Sequence, residues 1–167
     1  MALKMYVKIN IAVLVIVLLF PCVSYANEQN ALRGLNGLCV IVEDMDPKME
    51  ELGLTRDQIQ TDVELRLRRA GIIVLTMEEA LKSPGSPYLY VNINSYFLST
   101  LPIVAFSTRV ELRETVTLVN GMKTEGNIWH IGTVGASRTQ DIRKIKEFIE
   151  EGVDKFINDY LAANPKR

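Results

Sequence analysis

The chain has 167 residues, 48% of them hydrophobic and 23% charged, with 19 Lys and Arg against 20 Asp and Glu. Charge this evenly balanced argues against a general nucleic-acid binder, which needs a clustered basic face. The length suits a single domain able to bury its own core, and leaves little room for a second.

Residues 1–26 read as a cleavable secretory signal. Lys4 and Lys8 supply a positive start, Ile9 to Phe20 an apolar run of about a dozen residues, and Ser24-Tyr25-Ala26 a small-x-small site with cleavage after Ala26. The run is shorter than the roughly 20 apolar residues a bilayer span needs, and Pro21 stops it, which argues against retention as an anchor. A lipid anchor on Cys22 is not expected. A lipoprotein signal carries a small residue directly before its cysteine, and here Phe20-Pro21 stands there. The expected location is periplasmic or secreted.

Without Lys4 and Lys8 the mature chain has 17 basic and 20 acidic residues. It keeps one cysteine, Cys39, so stability must come from packing and not from an internal disulfide. Within Leu38-Cys39-Val40-Ile41-Val42 the thiol reads as a small buried hydrophobe.

Residues 27–36 read as a flexible leader, and residues 37–167 as one sandwich domain. Leu38 to Val42 is a continuous apolar run, the pattern of a strand covered on both faces, and is expected at the centre of a sheet. A short helical stretch follows around Lys48 to Leu52, ended by Gly53. Thr55-Arg56-Asp57-Gln58 is a capping box, opening a helix with Ile59, Val63, Leu67 and Ala70 on one face, opposite Asp62, Arg66 and Arg69. Gly71 closes it, and Ile72 to Leu75 is predicted as a second strand parallel to the first. Thr76 with Glu79 forms another capping box, for a short helix through Lys82.

After the loop Ser83-Pro84-Gly85-Ser86-Pro87 the period changes to two. Leu89, Val91, Ile93 and Phe97 alternate with Tyr88, Tyr90, Asn92, Asn94 and Tyr96. Val104, Phe106, Thr108, Val110, Leu112, Val116 and Leu118 alternate with Ser107, Arg109, Glu111, Arg113, Thr115 and Thr117, predicting a long antiparallel strand with one solvated face. Asn120-Gly121 signals a hairpin, with Glu125-Gly126-Asn127 able to lengthen it, and Ile128 to Val134 forms the last strand. A long amphipathic helix is expected from Ser137 or Thr139 to about Ala163, ended by Asn164-Pro165. The order β-α-β-(α)-β-β-β-α predicts an α+β two-layer sandwich: a mixed, mostly antiparallel sheet of about five strands with helices packed on one face.

No catalytic, metal or cofactor motif is recognisable. His130 is the single histidine and reads as structural, since a zinc site needs three or four ligands. Glu43, Asp44 and Asp46 cluster after the first strand, where they could hold a cation or act as an acid/base pair, but their spacing does not match a calcium loop. The better candidate is the polar sheet face: Tyr88, Tyr90, Asn92, Asn94 and Tyr96 beside Arg109, Glu111 and Arg113, rich in residue types that anchor interfaces. The plain alternative is an ordinary solvent-facing sheet, or a face covered by the leader.

The segments Gly53-Leu54-Thr55-Arg56-Asp57-Gln58, Thr61-Asp62-Val63-Glu64-Leu65-Arg66-Leu67, Pro87-Tyr88-Leu89-Tyr90-Val91-Asn92 and Val153-Asp154-Lys155-Phe156-Ile157-Asn158-Asp159-Tyr160-Leu161 give the chain its resemblance to an uncharacterised group of small bacterial exported proteins. That group implies no activity. In element order alone the chain is similar to the lipopolysaccharide-assembly lipoproteins and to the periplasmic domain of the curli secretion lipoproteins, but it departs from both in lacking an acceptable lipobox. The resemblance implies an envelope protein or outer-membrane complex as partner. The reading from sequence is thus a non-enzymatic binding or assembly factor of the cell envelope, needing no cofactor. A small-molecule or lipid carrier, or an exported hydrolase using His130 or the Glu43/Asp44/Asp46 cluster, are the alternatives.

Overall fold

A computed structural model describes residues 30–165. The expected signal segment, including Ala26 and Cys22, lies outside the described residues. The elements are β1 (Cys39–Val42), α1 (Pro47–Glu51), α2 (Arg56–Arg69), α3 (Met77–Lys82), β2 (Tyr88–Phe97), β3 (Ile103–Thr117), β4 (Lys123–Arg138), a 3-10 turn (Thr139–Asp141) and α4 (Arg143–Ala163). The fold is α+β. One mixed sheet in the order β1-β2-β3-β4 pairs β1 with β2 in parallel and the other neighbours antiparallel.

The sheet has four strands, not five. Ile72 to Leu75 touches β1 only through a parallel bridge between Leu38 and Val74, with Leu38 N donating to Ile73 O at 3.1 Å and Leu75 N to Leu38 O at 2.8 Å. The direction expected is kept, but Ile73 turns to solvent, and two bonds do not make a strand. β1 is consequently an edge strand and not a central one. Its apolar run is explained by cover at close range: α2 lies over Val40 and Val42, while Cys39 and Ile41 meet Met77, Ala80 and Leu81 of α3 across a groove of about 300 Å³.

Local chemistry starts the helices where expected. The Thr55 hydroxyl accepts from Gln58 N at 3.4 Å, and Thr76 with Glu79 forms a complete capping box. Apolar spacing then buries Ile59, Val63 and Leu67 of α2 and Ile145, Ile149, Val153 and Phe156 of α4 against Leu89, Val91, Val110 and Leu112 of the sheet. Asp62 and Arg66, read as the solvent face of α2, point instead at α4: Arg66 pairs with Glu150 at 2.6 Å and Asp154 at 2.9 Å, and Asp62 pairs with Lys146. At the centre Trp129 lies edge-on to Phe156, 5.2 Å between ring centroids, and donates its indole N–H to the buried Asp159 at 3.0 Å.

Three boundaries differ from the sequence reading. β4 begins at Lys123, because a bulge opposite Leu112/Arg113 absorbs Ile128 and breaks the alternation there. α4 begins later than Ser137, since Ser137 and Arg138 stay in the ladder opposite Val104 and Ile103, and the Ser137 hydroxyl donates to Asp141 O at 3.3 Å. Residues 30–36 are not a flexible leader: Leu32 is fully buried, Tyr160 Oη donates to Leu35 O at 3.0 Å, and the Asn164 amide accepts from Gly34 N at 2.7 Å and donates to Leu32 O at 2.9 Å. Among the described residues no helix is long and apolar enough to cross a membrane.

Candidate functional site

Because side chains alternate along a strand, the register decides what shares a face. β2 pairs Tyr88 with Arg113, Tyr90 with Glu111, Asn92 with Arg109 and Asn94 with Ser107. The next strand sets His130 beside Glu111 and Gly132 beside Arg109. Tyr88, Tyr90, Asn92, Asn94, Tyr96, Arg109, Glu111 and Arg113 therefore all stand on the side of the sheet away from α2 and α4, as the period-two pattern predicts. Tyr96, 72% exposed, stands at the far end of β2 from Tyr88.

The face is tied together by charge. Arg113 donates from Nε to Glu111 Oε2 at 2.8 Å, pairs with the same carboxylate through Nη2 at 2.7 Å, and reaches Glu125 on β4 at 3.0 Å. Its guanidinium also lies over the Tyr90 ring, 4.0 Å from the centroid. Glu111 points to the solvent side yet its side chain is only 5% exposed. A carboxylate so covered needs compensation, and Arg113 supplies it, with Arg109 at 3.6 Å on the other oxygen. Tyr88 donates to Glu125, and Tyr90 Oη and Asn92 Nδ2 both donate to Glu43 just beyond β1. Asn94 Nδ2 donates to Asn92 Oδ1 at 2.5 Å. The network joins β2, β3 and β4 to the residue that follows β1.

These contacts set the titration behaviour. Burial first, then the hydrogen bond to the Glu43 carboxylate, push the Tyr90 phenol up to about 12, and burial with Glu125 raises Tyr88. For Arg113 burial favours the neutral form, but Glu111, Tyr88 and Glu125 outweigh it and hold the guanidinium charged well above its usual range.

Glu43, Glu125 and His130 complete the face and were not among the residues singled out for it. Glu125 lay in an apparent turn, and Glu43 had been grouped with Asp44 and Asp46. That acidic group is dispersed: Asp44 pairs with Arg56 at 3.2 Å, and Asp46 caps α1 by accepting from Lys48 N at 2.9 Å. His130, read as a structural residue, is exposed on the polar face. Among the described residues no group of three or more His, Cys, Asp or Glu is arranged to hold a metal. Between the sheet and α4 a cavity lined by Thr108, Val110, Ile131, Phe148 and Gly152 measures about 70 Å³.

No family model matches the chain, and no curated protein matches it. The resemblance to small exported proteins therefore has no family model behind it. Among solved structures the chain is similar to the rare lipoprotein B from Shewanella oneidensis, at 14% identity over 77% of this chain and 92% of that one, with a TM-score of 0.32. A likeness that distant carries no functional argument.

Proposed function

We propose that the chain is an exported, non-enzymatic protein of the cell envelope that binds a partner protein or envelope complex through the face of its sheet. The observation that carries this reading is the solvent-open layer of tyrosines and arginines whose orientations are held in advance by Glu43, Glu111 and Glu125. Side chains already fixed in place lose little freedom on binding, and Tyr and Arg are the residues that most often anchor interfaces. The signal segment at residues 1–26 supports an envelope location. The space between the sheet and α4, about 70 Å³, falls far short of the roughly 300 Å³ or more that ligand pockets occupy, so a carrier would have to use an open cleft such as the one of about 450 Å³ between α2 and α4.

The test uses Tyr96 and His130, two exposed side chains of this face that lie outside the ion-pair network. Crosslinking in the source cell followed by affinity capture and mass spectrometry should recover one envelope complex reproducibly. Tyr96→Ala combined with His130→Ala should abolish that recovery while leaving the thermal transition within a degree or two. Equal recovery by the variant rules the face out.

A further inference from the structure

The β3–β4 hairpin runs on past the rest of the sheet. β2 ends its pairing with β3 at Tyr88–Arg113, and the last backbone hydrogen bond from the hairpin to another element among the described residues is Thr115 N to Gly85 O, at 2.7 Å. Beyond it Val116 pairs only with Thr124 and Thr117 only with Lys123, a two-stranded ribbon closed by a tight turn. The turn is well defined: Leu118 N donates to Met122 O and Gly121 N to Leu118 O, each at 2.8 Å, and Asn120 Oδ1 accepts from Met122 N at 3.0 Å. Gly121, at φ +82°, supplies the left-handed residue the turn requires.

The side chains at this tip are the wrong ones for water. Val119 is fully exposed, Met122 is 61% exposed and Leu118 46%. Polar or small residues would close the same turn, so three large apolar groups at the most distant point of the ribbon call for a partner. Lys123 follows directly, and the nearest carboxylate on β4, Glu125, is already engaged by Arg113 and Tyr88. We propose that this tip is a membrane-insertion element, in which Leu118, Val119 and Met122 enter the acyl boundary of a lipid bilayer while Lys123 meets anionic headgroups.

Area and shape favour a bilayer over a protein. A specific protein interface covers about 800 Å² on each partner, which three side chains on a ribbon two strands wide do not approach. A fluid bilayer demands no complementary shape, and apolar tips with a flanking cation suit its interface. Binding by one tip is weak and reversible. It would hold the sheet with its β3 and β4 axes steep to the membrane, placing the tyrosine face beside the bilayer and not against it.

Co-sedimentation with vesicles of phosphatidylethanolamine and phosphatidylglycerol tests this, using protein purified after export and checked by mass for signal removal. The unsubstituted chain should sediment with the vesicles. Val119→Asp with Met122→Asp should lower the bound fraction by about tenfold or more, and Lys123→Gln by about fivefold on anionic vesicles, one charge near such a surface being worth about that factor. Both variants should keep the parent melting temperature, since the altered side chains lie outside the core, and Val119→Ser provides a milder change should the double variant fold poorly. No sedimentation of the parent chain at millimolar lipid, or equal sedimentation of the double variant, overturns the proposal. So does loss of a crosslinked protein partner in the tip variants without any vesicle binding by the parent, which would place the tip in a protein interface.

Discussion

Tyr90 concentrates several interactions in one side chain. Its ring lies under Arg113, its edge meets Tyr88 at 6.5 Å between centroids, and its hydroxyl donates to Glu43. Burial disfavours the phenolate, and ionising it would also place a second negative charge against Glu43, so folding favours the protonated form. An unfolded tyrosine titrates near 10 and this one near 12, so the contribution is fully present below pH 10 and is lost as pH rises through 12. Urea unfolding of the parent chain should show stability falling across that interval. In Tyr90→Phe that part of the fall should be absent, and superimposable pH profiles would show that the Tyr90 hydroxyl is not held protonated by the fold. Tyr90 was legible as a site residue from alternation alone. Its partner Glu43 was not, because only the parallel pairing of β1 with β2, joining residues about 49 apart, brings that carboxylate to Tyr90 and Asn92.

The packing of α4 on the sheet turns on Gly152. A Cβ there would stand 3.0 Å from Val110 Cγ2 and 3.3 Å from Ile131 Cγ2, so the helix approaches the strands at a point with no side chain of its own. Gly152→Ala gains about 1 kcal/mol of helix propensity but crowds two branched side chains, and overpacking costs about 1–3 kcal/mol. The net expectation is a lower urea midpoint, with Gly152→Leu lower still. A midpoint that rises in Gly152→Ala would mean that the sheet yields and propensity wins. Sequence pattern was a good guide wherever one element carried its own signal, as in the capped start of α2 and the alternation of β2 and β3. It failed where a neighbour decided the outcome. Ile128 is a bulge only because of what lies opposite it, and 72–75 falls short of a strand because it meets β1 through a single bridge, with Ile73 turned to solvent.

At the scale of the whole molecule the domain starts earlier than its composition suggests. The polar stretch before β1 hides one core residue, Leu32, and the backbone around it is held by Asn164 and Tyr160 from the far end of the chain. Leu32→Ala should therefore cost about 2–5 kcal/mol, as for other fully buried leucines, whereas a true leader would lose almost nothing. Chemical denaturation distinguishes these outcomes directly. Two leucines, Leu32 and Leu35, are too few to set a period among Asn, Arg and Gly, which is why residues 30–36 read as leader. The open face, by contrast, followed from alternation in two long strands. One further consequence comes from the core: the chain contains one tryptophan, and it sits where β4 meets α4, against Phe156 and Asp159. Its emission thus acts as a built-in optical gauge of whether helix and sheet are together. Any partner, lipid or variant that pries the two layers apart will announce itself as a red shift, while one that only touches the tyrosine face or the hairpin tip will leave the spectrum unchanged.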